Sequence, residues 1–339
     1  MPKKISINGF GRIGRAFFKL AVTKPELEIV AINDLGDLNA MVYLLKYDSV
    51  YGRYDKEVGM EDGMLRVDGQ AYKFFQEKDP LKLPWGKLGV DIVVEATGAF
   101  ESYEKVAVHK TAGAKRVVLT APAKDEDNPD GRTVLMGVND EVLKTCSMSS
   151  NGSCTTNSAS PVMQILVEKL GIKKAFLNTV HGYTPTQALV DGGAKDHDLR
   201  RMRAAAVNIV PSTTGAVIAV ARAIDSLKGK FDGIAMRVPV VTGSLSAITF
   251  VSERPTTAEE INSILKEAEN DPRWQGIYKT ISDQIVSTDI IGDSYAAIAD
   301  LSLTKVVDGD LCAVYSWYDN EFGYTNSLVD HVLKVAAVL

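Results

Sequence analysis

Gly9-Phe10-Gly11-Arg12-Ile13-Gly14 is the stretch whose reading decides the fold. Residues 3–8 before it read as a β-branched strand, and Ala16, Phe17, Leu20 and Ala21 after it recur on the apolar side of a helix. Strand, glycine-rich turn and helix in that order make a dinucleotide-binding unit. The first glycine allows the tight turn, the second lets a pyrophosphate approach the backbone, and the third lets helix and strand pack closely. A second strand, 28–33, ends at Asp34, the acid such a unit carries about 20 residues further on. A carboxylate there accepts hydrogen bonds from ribose hydroxyls and repels a 2′-phosphate, so the expected cofactor is NAD. Glycine-rich turns alone are common; the flanking strand, helix and spaced acid give this one weight.

The rhythm continues outward. Residues 38–47 and 101–112 read as helices, 91–97 and 116–121 as buried strands, and Thr97-Gly98 falls at a strand's carboxyl end, where open α/β sheets bind ligands. The expected fold class is α/β: a Rossmann-type doubly wound parallel sheet, followed by an α+β catalytic domain with a largely antiparallel sheet. Between residues 46 and 88, Gly59, Gly63 and Gly69 punctuate short apolar pieces that suggest an antiparallel excursion. Residues 125–132 read as an exposed polar loop.

The second half turns on Ser153-Cys154-Thr155-Thr156-Asn157, where a loop gives way to the apolar run Pro161, Val162, Ile165 and Leu166. The first N–H groups of a helix have no intrahelical partner and the dipole is positive there, which favours a thiolate at Cys154 over the thiol. A buried cysteine among helix-capping hydroxyls is the plainer reading of those five residues alone. The strand 174–180 changes the balance, because it delivers His181 as a base for the cysteine. Residues 183–208 show no period, yet hold Thr184, Arg200, Arg201 and Arg203. Pro211-Ser212-Thr213-Thr214-Gly215 precedes the apolar helix 216–224 and forms a second candidate anion site. Residues 233–240, 244–252, 295–303 and 310–318 read as strands, and Arg237 among Ile234, Met236 and Val238 requires an anionic partner. A last helix carrying Leu328, Val332 and Val335 is expected to return to the first domain, with Asn320 reaching the cofactor.

At 339 residues, two domains are the default. The expected division is 1–152 with 319–339 for the dinucleotide domain and 153–318 for the catalytic domain. A net charge of −5 gives no general attraction to nucleic acid or an anionic membrane. Three cysteines are too few for a disulfide framework, which suits a cytoplasmic protein. No signal segment, membrane span or metal site is expected.

These pieces together resemble phosphorylating glyceraldehyde-3-phosphate dehydrogenase along nearly the whole chain. The matching strings are NGFGRIGR from Asn8, ND at Asn33-Asp34, SCTTN from Ser153, HGYTPTQ from His181, LRRMRAA from Leu199, PSTTGA from Pro211, AMRVP from Ala235 and WYDNEFGY from Trp317. The resemblance implies that Cys154 attacks the aldehyde of glyceraldehyde 3-phosphate with His181 as base, and that inorganic phosphate cleaves the resulting thioester. It implies cofactor contacts from Gly9, Phe10, Gly11, Arg12, Ile13, Gly14, Asp34, Thr97, Gly98, Thr120, Asn320 and Tyr324. Ser153, Thr155, Thr214 and Gly215 would cradle the attacking phosphate, Thr184 and Arg237 the substrate's phosphate, with Arg203 between them. A homotetramer is implied as well. Two departures stand out: Ser158 replaces a second cysteine common in the family, and Gly193 replaces a proline frequent in its NAD-specific members. Erythrose-4-phosphate dehydrogenase shares most of these features, whereas SCTTN and WYDNEFGY argue against aspartate-semialdehyde dehydrogenase. A purely non-catalytic binding role has no basic tail or nucleic-acid motif to support it.

Overall fold

Valine and isoleucine run consecutively through the strands Ile92–Glu95 and Arg116–Leu119, and nearly all of them are buried. Such strands need helices on both faces, as in a parallel sheet. The computed structural model, which describes residues 1–193 and 198–339, places them in a nine-stranded sheet. From one edge the order is Gly131–Thr133, Met148–Ser150, Arg116–Leu119, Ile92–Glu95, Lys3–Asn8, Leu27–Asn33 and Gln70–Phe75, all parallel. Met64–Val67 and Val58–Glu61 add antiparallel at the far edge, where the excursion was expected. Lys3–Asn8 has Leu27–Asn33 on one side and Ile92–Glu95 on the other, so the strand order reverses beside it. The carboxyl ends at such a reversal leave a crevice.

Local chemistry explains where the elements stop. The strand expected over 91–97 ends at Glu95, because the Glu95 carboxylate accepts the Thr97 N–H at 2.8 Å and turns the chain into Gly98, whose φ is +65°. The polar loop 125–132 is not wholly a loop. Asp127 accepts hydrogen bonds from the Thr133 N–H and hydroxyl, both at 2.9 Å, which draws Gly131–Thr133 into the sheet.

The other sheet is largely antiparallel and alternates buried and partly exposed residues, as in Leu311–Tyr318. Its central path runs Val210–Ser212, Phe231–Val238, Ile172–Gly182, Ser244–Ser252, Leu311–Tyr318, Ala297–Asp300 and Tyr278–Ile281. Ile172–Gly182 pairs in parallel with Phe231–Val238, in a register that sets His181 opposite Arg237. The helix Cys154–Lys169 packs on this sheet through Val162, Met163, Ile165 and Leu166, all almost fully buried. Its small face lets Ser158 Oγ come within 3.1 Å of Ser246 Oγ and 3.2 Å of Ser316 Oγ.

The chain divides into two compact units. One comprises Met1–Val134, Asn139–Gly152 and Leu328–Leu339; the other comprises Leu135–Val138 and Ser153–Ser327. The fold is therefore the mixed α/β class read from the sequence, a Rossmann-type parallel sheet and a mostly antiparallel one. No helix among the described residues is long and apolar enough to cross a membrane.

Candidate active site

In the first unit the glycine-rich turn is shaped by close approach. A Cβ on Gly14 would stand 2.0 Å from Gly9 O, whereas a Cβ on Gly11 would meet nothing within 4 Å. Gly14 therefore clamps the helix Arg12–Ala21 to the turn, and Gly11 leaves the backbone open. That helix has no side-chain cap and no acid in its first turn, so no carboxylate of its own competes with an anion at its positive end. Asp34 is fixed by two backbone donors, Phe10 N–H at 2.6 Å and Gly36 N–H at 2.7 Å, and a carboxylate keeps acceptor capacity beyond two bonds. A cavity of about 410 Å³ opens here, walled by Gly9, Gly11, Asp34, Lys78, Thr97 and Phe100 among others. These residues fit a dinucleotide: open backbone for the pyrophosphate, an acid for the ribose and an apolar wall for the base.

The other residues expected here contribute in different ways. Phe10 is fully buried, edge-on to Phe18, so only its backbone faces the turn. Arg12 sends its guanidinium to Asp48 at 3.2 and 3.3 Å, and Ile13 is half-buried beside it. The Thr97 hydroxyl donates to Glu95 and accepts from the Ala99 N–H, which commits its hydrogen away from any ligand. Thr120 follows its strand directly, its N–H on the Glu95 carbonyl at 3.1 Å.

In the second unit, Cys154 is the first residue of its helix. Ser153 caps it by accepting the Thr156 N–H at 3.1 Å, and the Thr156 hydroxyl accepts the Ser153 N–H at 3.0 Å, a reciprocal capping box. Cys154 Sγ lies 3.2 Å from His181 Nε2. The imidazole is 2% exposed and edge-on to Tyr318, whose hydroxyl is 2.8 Å from both Thr155 Oγ1 and Thr179 Oγ1. His181 Nδ1 is 2.6 Å from the Gly182 carbonyl and 2.7 Å from an Arg237 Nη1 that also reaches that carbonyl at 3.3 Å.

Burial and the neighbouring Arg237 charge drop the His181 pKa to about 3, so the ring is neutral at pH 7. Burial also pushes the Cys154 thiol up, opposed by Arg237, Thr155 and the helix-start N–H groups. The helix-start N–H groups act in the direction the sequence suggested, toward the thiolate, and burial acts against them. The pair rests as thiol beside neutral imidazole, an arrangement suited to general-base activation at the moment of attack.

The residues expected to bind anions differ in burial and in partners. Arg237 is largely buried and its Nε has no hydrogen-bond partner among the described residues. Arg201 turns its guanidinium onto the Thr213 carbonyl at 3.3 Å and its charge is felt by Arg237. Arg203, the arginine read from the sequence, is instead exposed and paired with Asp191 at 3.0 Å. Thr214 accepts the Ala216 N–H at 3.2 Å, with Gly215 at the start of the helix Ala216–Ala223. Thr184 pairs with Thr186, hydroxyl to hydroxyl, at 2.9 Å. Asn320 Oδ1 accepts from Ser244, Gly243 and Thr242, which leaves its NH₂ to donate; Tyr324 is buried at the start of the last helix.

A parallel sheet with a glycine-clamped cavity that fits a dinucleotide, and a cysteine–histidine pair beside Arg237, are the features of a nicotinamide-dependent dehydrogenase. Family models for the NAD-binding domain and the C-terminal domain of glyceraldehyde 3-phosphate dehydrogenase match residues 3–103 and 153–320. Glyceraldehyde-3-phosphate dehydrogenase from Clostridium pasteurianum is 47% identical, covering 98% of this chain and 99% of its own length. The Thermotoga maritima protein of that name is 48% identical over 96% and 97%, and the Geobacillus stearothermophilus one 45% over 99% of each. The chain belongs to the glyceraldehyde-3-phosphate dehydrogenase family.

Proposed function

We propose that the chain oxidises D-glyceraldehyde 3-phosphate to 1,3-bisphosphoglycerate with NAD and inorganic phosphate, through a hemithioacetal and a thioester on Cys154. The observation that carries this reading is the 3.2 Å contact between Cys154 Sγ and a neutral His181 Nε2 at a helix start. The Cys154 sulfur attacks the aldehyde carbon as its proton passes to His181 Nε2. The Nε2–H and the Cys154 N–H then hold the hemithioacetal oxygen; the Nε2 proton passes to that oxygen to give the hydroxyl, and returns to the freed Nε2 as the carbon is oxidised to the thioester. NAD, when bound, supplies the hydride acceptor. Gly9, Phe10, Gly11, Arg12, Ile13 and Gly14 would hold its pyrophosphate through backbone, and Asp34 its ribose. Thr97, Gly98, Thr120, Asn320 and Tyr324 are its remaining contacts in this reading. Phosphate attack on the thioester releases the acyl phosphate and restores the sulfur.

Ser153, Thr155, Thr214 and Gly215 would hold the attacking phosphate, and Thr184 and Arg237 the substrate's own. Both arginines have an acidic neighbour, Asp191 for Arg203 and Asp198 for Arg201, but the Arg203 side chain is 64% exposed and that of Arg201 14%, which favours Arg201 as the arginine between them. The domain division at 152/153 belongs to this reading, with the chain rejoining the dinucleotide part near its end: the expected point is 319, whereas the compact unit resumes at Leu328. So do a cytoplasmic location and a homotetramer; self-association of some kind is supported by large apolar side chains left exposed, among them Phe176, Leu189, Val190, Val207 and Ile209. Light scattering of the purified chain tests the assembly.

The activity is tested by following reduced-cofactor absorbance with glyceraldehyde 3-phosphate, with and without phosphate, using NAD and then NADP. Phosphate-dependent turnover with NAD is expected. Faster turnover of erythrose 4-phosphate would favour the alternative substrate, and absence of turnover with either aldehyde would reject the reading.

A further inference from the structure

We propose that Glu95 is the positioning residue of the nucleotide cavity, a carboxylate sealed beneath the cavity wall on which Asn8, Asn33 and Thr97 are all set. This rests on the reading of that cavity as the NAD site. Glu95 ends the strand Ile92–Glu95, is 1% exposed and does not itself line the cavity, although Asn8, Asn33, Glu77 and Thr97 do. The three adjacent strands Leu27–Asn33, Lys3–Asn8 and Ile92–Glu95 finish in register at Asn33, Asn8 and Glu95.

The direction of every hydrogen bond at Glu95 is forced. The Trp85 indole N–H can only donate, and it lies 3.1 Å from His109 Nδ1. That nitrogen therefore accepts, and the His109 proton sits on Nε2, 2.9 Å from Glu95 Oε2. Asn33 Nδ2 donates to Asn8 Oδ1 at 2.7 Å, so the Asn8 amide donates in turn to Oε2 at 2.6 Å. Asn33 is itself set by Glu77, whose N–H donates to Asn33 Oδ1 at 2.9 Å and whose carbonyl accepts from its amide at 3.0 Å. Oε1 receives the Thr97 N–H at 2.8 Å, and the Thr97 hydroxyl, which accepts from Ala99, donates to it too. Two hydrogen-bonded chains and a turn thus converge on one carboxylate, with no lysine or arginine among these partners. Networks satisfied throughout are stiff, and a partly satisfied one loses that stiffness.

Glutamine has the same size but presents two hydrogens from one of its two terminal atoms. Whichever way it turns, Glu95→Gln places an NH₂ against either the Thr97 donors or the Asn8 and His109 donors. The Asn33 that precedes Asp34 and the turn at Gly98 both lose their anchor. Binding of the dinucleotide should weaken roughly tenfold or more, the factor that corresponds to about 1.4 kcal/mol.

The test measures NAD binding by calorimetry and NADH binding by fluorescence for the full chain, together with unliganded melting temperature and the alkylation rate of Cys154 without nucleotide. In Glu95→Gln both nucleotides should bind about tenfold or more weakly and KM for NAD should rise, while Cys154 alkylates at the wild-type rate. Thr97→Val, which removes a single donor, should weaken binding less, and Thr97→Ser should restore it. A Glu95→Gln protein that melts lower yet binds NAD normally would make Glu95 a structural brace and overturn the proposal. Should Glu95→Gln not fold, wild-type affinity in Thr97→Val overturns it equally. A wild-type chain that fails to bind NAD would instead overturn the reading of the cavity, before any variant is compared.

Discussion

His181 Nδ1 faces both a carbonyl and a guanidinium, and one tautomer cannot serve the two. With the proton on Nδ1, the ring donates to Gly182 and Nε2 accepts from the Cys154 thiol. With Arg237 donating to Nδ1, the proton lies on Nε2 and serves a thiolate. Arg237 can hold the Gly182 carbonyl in either case, so it follows the proton of the pair. Its charge also opposes the burial that raises the Cys154 thiol. Arg237→Leu should therefore slow iodoacetamide alkylation at neutral pH and move the midpoint of its pH–rate curve upward; a midpoint that stayed or fell would remove Arg237 from the thiol's electrostatics. The same variant should raise KM for the phosphorylated aldehyde by roughly 10–100-fold, the equivalent of a charge-assisted hydrogen bond of about 1.5–3 kcal/mol. Unphosphorylated glyceraldehyde should be little affected. Limited alkylation should label Cys154 before Cys146 and Cys312, which are 3% and 0% exposed, and peptide mass spectrometry reads the order directly.

At the scale of elements, two glycines three residues apart have opposite duties. Gly11 has φ −68°, open to any residue, and free space around a Cβ. Gly11→Ala should melt like the wild type but bind NAD at least about tenfold more weakly, because the methyl occupies the side from which the pyrophosphate approaches. Gly14→Ala should lower the melting temperature, since its Cβ would stand 2.0 Å from Gly9 O and the helix must move. Calorimetric melting with a binding titration separates the two; equal losses in both properties would refute the division. These duties were legible in the sequence because a turn between strand and helix fixes each glycine's position by spacing. Cys154 at a helix start and His181 at a strand end were legible for the same reason. The choice between Arg201 and Arg203 was not: residues 183–208 have no period, so spacing says which residues share the loop but not which guanidinium turns inward. Nor did spacing reveal that the Thr97 hydroxyl faces Glu95 in the interior, a consequence of where the strand stops. Residues 194–197 of that loop lie outside the described residues.

Across the whole molecule, acid should be the weak point, and the buried histidines decide it. His331 lies between Ser149 Oγ at 2.7 Å and Asn151 Oδ1 at 3.0 Å, and burial lowers its pKa to about 3, the value His181 also reaches. Both are depressed below the ordinary 6.5, so between pH 6.5 and 3 the unfolded chain binds more protons than the folded one. Their contribution is present above pH 6.5 and is lost as the pH falls toward 3. Asp330 acts in the opposite sense: burial raises it from 3.8 to about 6, so its contribution is present below pH 3.8 and lost as the pH rises through 6. Two histidines with the wider shifts outweigh one carboxylate, and the melting temperature should fall as the pH drops below 6.5. His331→Gln, which cannot titrate, should make that fall shallower. Asp330→Asn should raise the melting temperature at pH 7 and leave it unchanged below pH 3.8. Calorimetry from pH 3 to 8 on the three proteins checks the signs. A His331→Gln curve parallel to the wild type's would show that protonation of other groups governs acid unfolding.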